Sequence, residues 1–169
     1  MINIIKSGVG NLGSLIRVIE DLEINYNIIN NRNDFNQDWK IILPGVGTFD
    51  SFVNSLKNQN LFEKIKELVL INKIPILGIC VGMQSLFDKS EEGEEDGLSF
   101  IEGKCKKFDN NVIKVPHIGW NNIEILNHCS LFVDLKNDYF YFSHSYHVSL
   151  LDKNLVLSVT NYDYDFFQL

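Results

Sequence analysis

A chain of 169 residues, 45% hydrophobic and 22% charged, has the balance of one globular domain with an apolar core. Its formal net charge of −7 argues against nucleic acid as a main partner, because binding phosphates asks for a basic surface. No apolar run approaches the ~20 residues that span a bilayer, and the first six residues lack a signal-peptide pattern, so a cytoplasmic protein is expected, not a membrane protein.

The chain opens with an apolar strand over 2–5. A helix is predicted over 11–22, with Leu12, Leu15, Ile16, Ile19 and Leu22 on one face. Residues 26–30 read as a second strand and 40–43 as a third, stopped by Pro44-Gly45. Helical spacing returns over 51–56 and 61–71. Residues 75–79 form a short, wholly apolar strand of the kind buried in a parallel sheet, and 81–87 should begin a helix. Strands alternating with helices through short connections predict an α/β fold with a doubly wound, mostly parallel sheet. After residue 90 the pattern changes. An acidic loop, SEEGEEDG (90–97), leads into β-rich segments at 98–108, 120–126, 139–148 and 155–161, with one short helix over 129–135. These are expected to extend the same sheet with added antiparallel strands, in a single domain over 1–169.

Two glycine patterns compete for attention. SGVGNLGSL (7–15) contains G-x-G-x-x-G after a strand and before a helix, the layout of a dinucleotide loop. The acidic residue that should close the second strand is missing, since that strand ends in Asn30, Asn31 and Arg32, and Asp34 comes late. A plain tight turn is the better reading. The second pattern is ILGICVGMQSLF (76–87), which sets Cys80 between Gly78 and Gly82 at a strand-to-helix junction. This is the layout of a nucleophile elbow. The helix end would favour the thiolate, and the backbone N–H of Val81 would serve as an oxyanion donor. A buried cysteine acting as a small hydrophobe is the alternative. ILPGVGTF (42–49) follows another parallel strand and reaches the same sheet edge, where such folds bind ligands. Cys80, Cys105 and Cys129 form no C-x-x-C, so reduced thiols are expected.

P-G-V-G followed by G-I-C-V-G-M-Q resembles the class I (triad) glutamine amidotransferases, whose fold is flavodoxin-like. VPHIGWNNI (115–123), YFYFSHSYHV (139–148) and the opening loop narrow the resemblance to glutaminase subunits that serve a barrel-type synthase in histidine biosynthesis. The resemblance makes Cys80 the nucleophile toward glutamine. It makes Gly45, Val46 and Gly47 the oxyanion strand, with Val81 as the second donor. Gln84 and Glu92 match positions near the bound glutamine, the carboxylate suiting its ammonium, and Ser145 and Tyr146 match the segment lining that site. Asn11, Trp120 and Tyr141 match the surface facing the synthase, although by composition alone Trp120 could be a core residue. The resemblance implies no cofactor and no metal. It also implies a tunnel that passes ammonia to the barrel subunit, and a heterodimer.

The family's triad histidine and glutamate lie in F-H-P-E, a motif that these 169 residues do not contain. His117 and His144 match other family positions, and neither His128 nor His147 matches the base. Two expectations follow. The chain lacks the family's final strand and helix, or it is a silent subunit that binds its partner without hydrolysing glutamine. A paralogue that supplies ammonia to surface-polysaccharide sugar synthesis would carry the same motifs.

Overall fold

The computed structural model describes every residue except 9, 36–38, 128, 136, 137 and 169. Contacts divide the chain into two compact units, Met1–Ile101 and Glu102–Leu169.

The first unit runs β1 (Ile2–Ile5), α1 (Gly13–Asp21), β2 (Tyr26–Ile29), β3 (Lys40–Gly45), α2 (Phe49–Asn58) and α3 (Phe62–Lys66). A π-helical turn, Glu67–Ile71, continues α3, and β4 (Ile76–Cys80), α4 (Val81–Gln84) and β5 (Phe87–Ser90) follow. Strands β2, β1, β3 and β4 pair in that order, all parallel. Successive strand residues point to opposite faces. Ile5, Ile41 and Leu43 therefore join Phe49, Phe52 and Leu56 of α2 in one core, while Ile4 and Ile42 join Ile19 of α1 on the other face. Both faces are covered at β1 and β3, so these strands read as apolar runs. The doubly wound arrangement expected from the sequence is present in this unit.

The second unit is antiparallel. It holds β6 (Ile101–Lys107), β7 (His117–Asn122), β8 (Glu124–Ile125), β9 (Tyr139–His144), β10 (Tyr146–Leu150), β11 (Ser158–Tyr162) and β12 (Tyr164–Gln168). Strands β6, β10, β12, β11 and β8 pair in sequence, and β7 pairs with β9 in a sheet of two. Phe108, Ile113 and Phe166 form its aromatic centre.

Four expectations need correction. The antiparallel strands do not extend the β1–β4 sheet but form sheets of their own. Strand β4 is the outer strand of the parallel sheet, with Leu77 and Ile79 exposed, because an apolar run records composition and not the number of neighbours. The helix starting at Val81 lasts one turn, since Leu86 and Phe87 turn their carbonyls to the amides of Phe100 and Ser99. The helix expected over 129–135 shrinks to a 3₁₀ turn, Ser130–Phe132. Asp34, too late in the chain for a ribose partner, accepts hydrogen bonds from the amides of Asn30 (2.7 Å) and Asn31 (3.0 Å). Those amides hold its carboxyl below the usual range, Asn30 contributing most. Among the described residues, no helix is long and apolar enough to cross a membrane.

A histidine pair sits in the aromatic centre of the second unit. His144 Nδ1 lies 2.9 Å from the Tyr146 carbonyl, which only accepts, so Nδ1 carries a hydrogen. Neutral His144 then offers Nε2 to His117 Nδ1–H at 3.0 Å. Burial, with the nearby His117 and His147 adding to it, holds His144 at about 4 although the Tyr146 carbonyl opposes the shift. The unfolded chain therefore takes up this proton first as pH falls from about 6.5 to about 4. Stability is complete above that window and declines through it, by at most about 3 kcal/mol. Urea unfolding at pH 7 and pH 4.5 will show a larger loss for the unmodified chain than for His144→Phe; equal losses would remove His144 as the cause.

Candidate active site

The candidate site starts from the backbone at Cys80. This residue ends β4 with φ 57° and ψ −122°, a left-handed conformation in a residue other than glycine. Such a backbone costs roughly 1–3 kcal/mol and persists only where its surroundings hold it. They hold it through two glycines. A Cβ on Gly78 would lie 2.5 Å from the Met83 Cα, and one on Gly82 would lie 1.8 Å from the Leu43 carbonyl oxygen. The first turn of α4 is thereby pressed onto β3 and β4, and the chain reverses within one residue. Among the three cysteines Cys80 is exposed, whereas Cys105 is buried and Cys129 partly so. The buried-hydrophobe alternative for Cys80 is set aside by that exposure. The Ser85 N–H bonds to the Val81 carbonyl (2.9 Å) and closes the single turn of α4. The Val81 side chain is buried in the core, which fixes the direction of that turn.

The P-G-V-G segment lies beside it. Gly45 pairs with Cys80 in the β3–β4 register. A Cβ on Gly45 would meet the Gly82 nitrogen at 2.6 Å, so the backbone of β3 touches that of α4. Gly47 has φ +88°, and Val46 is exposed between the two glycines. The opening loop packs on this segment, since a Cβ on Gly10 would meet Val46 Cγ2 at 2.4 Å. Gly8 faces Ser55 of α2 and Gln59 just beyond its end, and Asn11 Oδ1 accepts from the Gly13 amide at 2.8 Å. The glycines of G-x-G-x-x-G thus let the loop lie against its own protein.

The remaining residues fall into two groups. Gln84 is buried at the end of α4. Glu92 Oε2 accepts from the Phe49 amide at 2.8 Å, at the first residue of α2, which ties the acidic loop to the element following Gly47. Gly45, Val46, Gly47, Cys80, Val81, Gln84 and Glu92 all lie in the first unit. Ser145 and Tyr146 lie in the second, at the junction of β9 and β10, where the Ser145 carbonyl accepts from the Phe108 amide at 3.0 Å. Asn11 is exposed. Trp120 and Tyr141 pair across β7 and β9, both exposed, with ring centroids 5.7 Å apart in a T-shape, so Trp120 is not a core residue. His128 lies outside the described residues.

Sequence reasoning missed Asp50. Its carboxylate accepts from the amides of Glu94 and Glu95, each at 3.0 Å. Positions 44 and 45 residues apart carry no local signal of that contact; Gly93 in the midst of acids was the only hint.

A strand-to-helix cysteine elbow, packed by glycines against a second glycine turn on the same sheet edge, defines a class of thiol-dependent acyl-transfer domains. The comparisons make this specific. The family described as glutamine amidotransferase class-I matches residues 3–167, and the chain belongs to it. The chain is 40% identical over 171 residues to imidazole glycerol phosphate synthase subunit HisH of Leptospira interrogans, covering 98% of this chain and 84% of that one. It is 44% identical over 168 residues to the HisH subunit of Methanocaldococcus jannaschii, covering 98% and 83%. A crystal structure of a glutamine amidotransferase shares the fold, with a TM-score of 0.73 at 13% identity over 95% of this chain and 84% of that one.

Gly82→Ala tests the close packing behind the elbow. Urea unfolding should show a loss of about 3 kcal/mol, because the added methyl meets backbone and has no side chain to displace. A loss below about 0.5 kcal/mol, the ordinary surface value, would contradict the packing described here.

Proposed function

We propose that the chain is the glutaminase subunit of an imidazole glycerol phosphate synthase. The observation that carries the reading is the exposed, left-handed Cys80 placed opposite Gly45. The Cys80 thiolate attacks the side-chain carbonyl carbon of glutamine, forming a C–S bond and a tetrahedral oxyanion. Backbone N–H groups of Val81 and of the Gly45–Val46–Gly47 turn meet that charge, a role worth ~3–4 kcal/mol per donor in comparable sites. The C–N bond then breaks, the nitrogen leaves as ammonia with the proton that the Cys80 thiol gave up on ionising, and water cleaves the thioester to glutamate and restores the thiol. Gln84, Ser145 and Tyr146 line the glutamine site, and Glu92 faces the substrate ammonium. The two units are read as parts of one amidotransferase domain, a reading supported by a family match that spans both.

Ammonia passes to a barrel-type synthase subunit, with which the chain forms a heterodimer in the cytoplasm. The surface of the β7–β9 pair supports that assembly. Ile118, Trp120, Tyr139 and Tyr141 lie exposed on it, an apolar, aromatic patch of the composition found at the centres of interfaces. In the first unit, the exposed Asn11 of the opening loop is also read as facing the synthase.

The test uses 6-diazo-5-oxonorleucine, an electrophilic analogue of glutamine that alkylates a thiolate directly. Incubation with the chain and its synthase partner, followed by peptide mass spectrometry, should find one adduct on Cys80. Glutamine should protect against it, and Cys80→Ala should abolish it. Labelling spread over Cys80 and Cys129, or unaffected by glutamine, would count against the reading.

A further inference from the structure

The loop carrying Glu92 is held at three places. Its base is pinned by Gly97 N–H to the Asp88 carbonyl (2.8 Å) and by Leu98 N–H to the Ser85 carbonyl (2.7 Å), just beyond α4. Its tip is gripped by one face of α2. Asp50 Oδ2 accepts from the Glu94 amide and Asp50 Oδ1 from the Glu95 amide, each at 3.0 Å. Lys57, two turns along the same face, forms an ion pair with Glu95. Between the two grips, Glu92 Oε2 accepts from the Phe49 amide. Gly93 lies so close to Asp50 that a Cβ there would fall 1.9 Å from Oδ1. The carboxylate of Asp50 thus fits the loop backbone with no space left over.

The clasp is reciprocal. Glu92 satisfies an orphan N–H of the helix, and the helix returns a carboxylate to two orphan N–H groups of the loop. Phe49 stands four residues beyond Gly45, which faces Cys80 across β3 and β4, so the Glu92 carboxylate is tied within about 14 Å of extended chain to the elbow. Without the clasp, a loop bearing Glu91, Glu92, Glu94, Glu95 and Asp96 would be spread by its own charge.

We infer that Asp50 is a positioning residue for substrate recognition: by binding the Glu94 and Glu95 amides it fixes Glu92 where the ammonium of glutamine is received. This rests on the reading of Glu92 given under the proposed function. Asp50 itself need not touch substrate. Its effect should pass entirely through Glu92, and should therefore be felt only by ligands that carry the ammonium.

The experiment measures equilibrium binding of glutamine and of glutaramate, the same amide acid without the α-amino group, to the chain with its synthase partner, every chain carrying Cys80→Ala so that glutamine is not consumed. The chains compared are otherwise unmodified, Asp50→Ala, Asp50→Asn, Glu92→Gln and Asp50→Ala/Glu92→Gln. The unmodified chain should prefer glutamine. Glu92→Gln retains an oxygen for the Phe49 amide but removes the charge, and should abolish the preference. Asp50→Ala should weaken glutamine binding about tenfold, leave glutaramate unchanged, and add nothing in the Glu92→Gln background. Asp50→Asn retains one acceptor and should fall between; it also serves if the alanine variant does not fold. If Glu92→Gln abolishes the preference while neither Asp50 variant alters it, the inference about Asp50 is overturned and the role of Glu92 stands. If Asp50→Ala weakens both ligands alike, Asp50 is structural only. If Glu92→Gln leaves the preference intact, or the unmodified chain binds neither ligand, the reading of Glu92 falls and takes this inference with it.

Discussion

The structure depends on one backbone conformation, the left-handed turn at Cys80. A cysteine resists it, and the fold imposes it by bringing the backbone of α4 against β3 and β4. Gly78, Gly82 and Gly45 make this approach possible, because a methyl at any of them would meet backbone at 2.6 Å or less. The consequence is chemical. The sulfur ends a strand, stands exposed, and shares the sheet edge with the amides of Val81 and the Gly45–Gly47 turn. The strain at Cys80 is small beside the burial of Phe49, Phe52, Val53 and Leu56 on the same side of the sheet, each worth about 1.5–3 kcal/mol. The core therefore holds the elbow in place without help from substrate.

A second constraint acts at the other end of the same loop system. Helix α2 begins two residues after Gly47 and receives Glu92, while its Asp50 holds the loop behind Glu92. The turn that would bind an oxyanion and the carboxylate that would meet an ammonium are thus built on one helix. Both contacts fall on the first two residues of that helix, Phe49 and Asp50.

Much of this was legible in the sequence. Strand β1 falls on residues 2–5 as its apolar run predicts, and the starts of β2 and β3 agree with the reading. G-I-C-V-G announced the elbow because only glycines tolerate such approaches, and the exposed Cys80 matches that layout. What was hidden was non-local. Strand β4 looked buried by composition and proved to be outermost. Helix α4 stopped after a turn because the next residues found partners near residue 100. The β-rich half gave its strands but not their pairing, since alternation says which face a residue takes and nothing about its neighbour. The histidine pair at 117 and 144 follows from β7–β9 register, and Asp50 follows from a contact that spans more than 40 positions.

The most direct measurement of the central claim is capture of the acyl-enzyme. The chain and its synthase partner would be given isotopically labelled glutamine and quenched in acid, and the bound label located by peptide mapping. The account predicts a γ-glutamyl label on the Cys80 peptide, released by hydroxylamine as a thioester is and absent from Cys80→Ala. Label on another residue, or label that persists in Cys80→Ala, would contradict it.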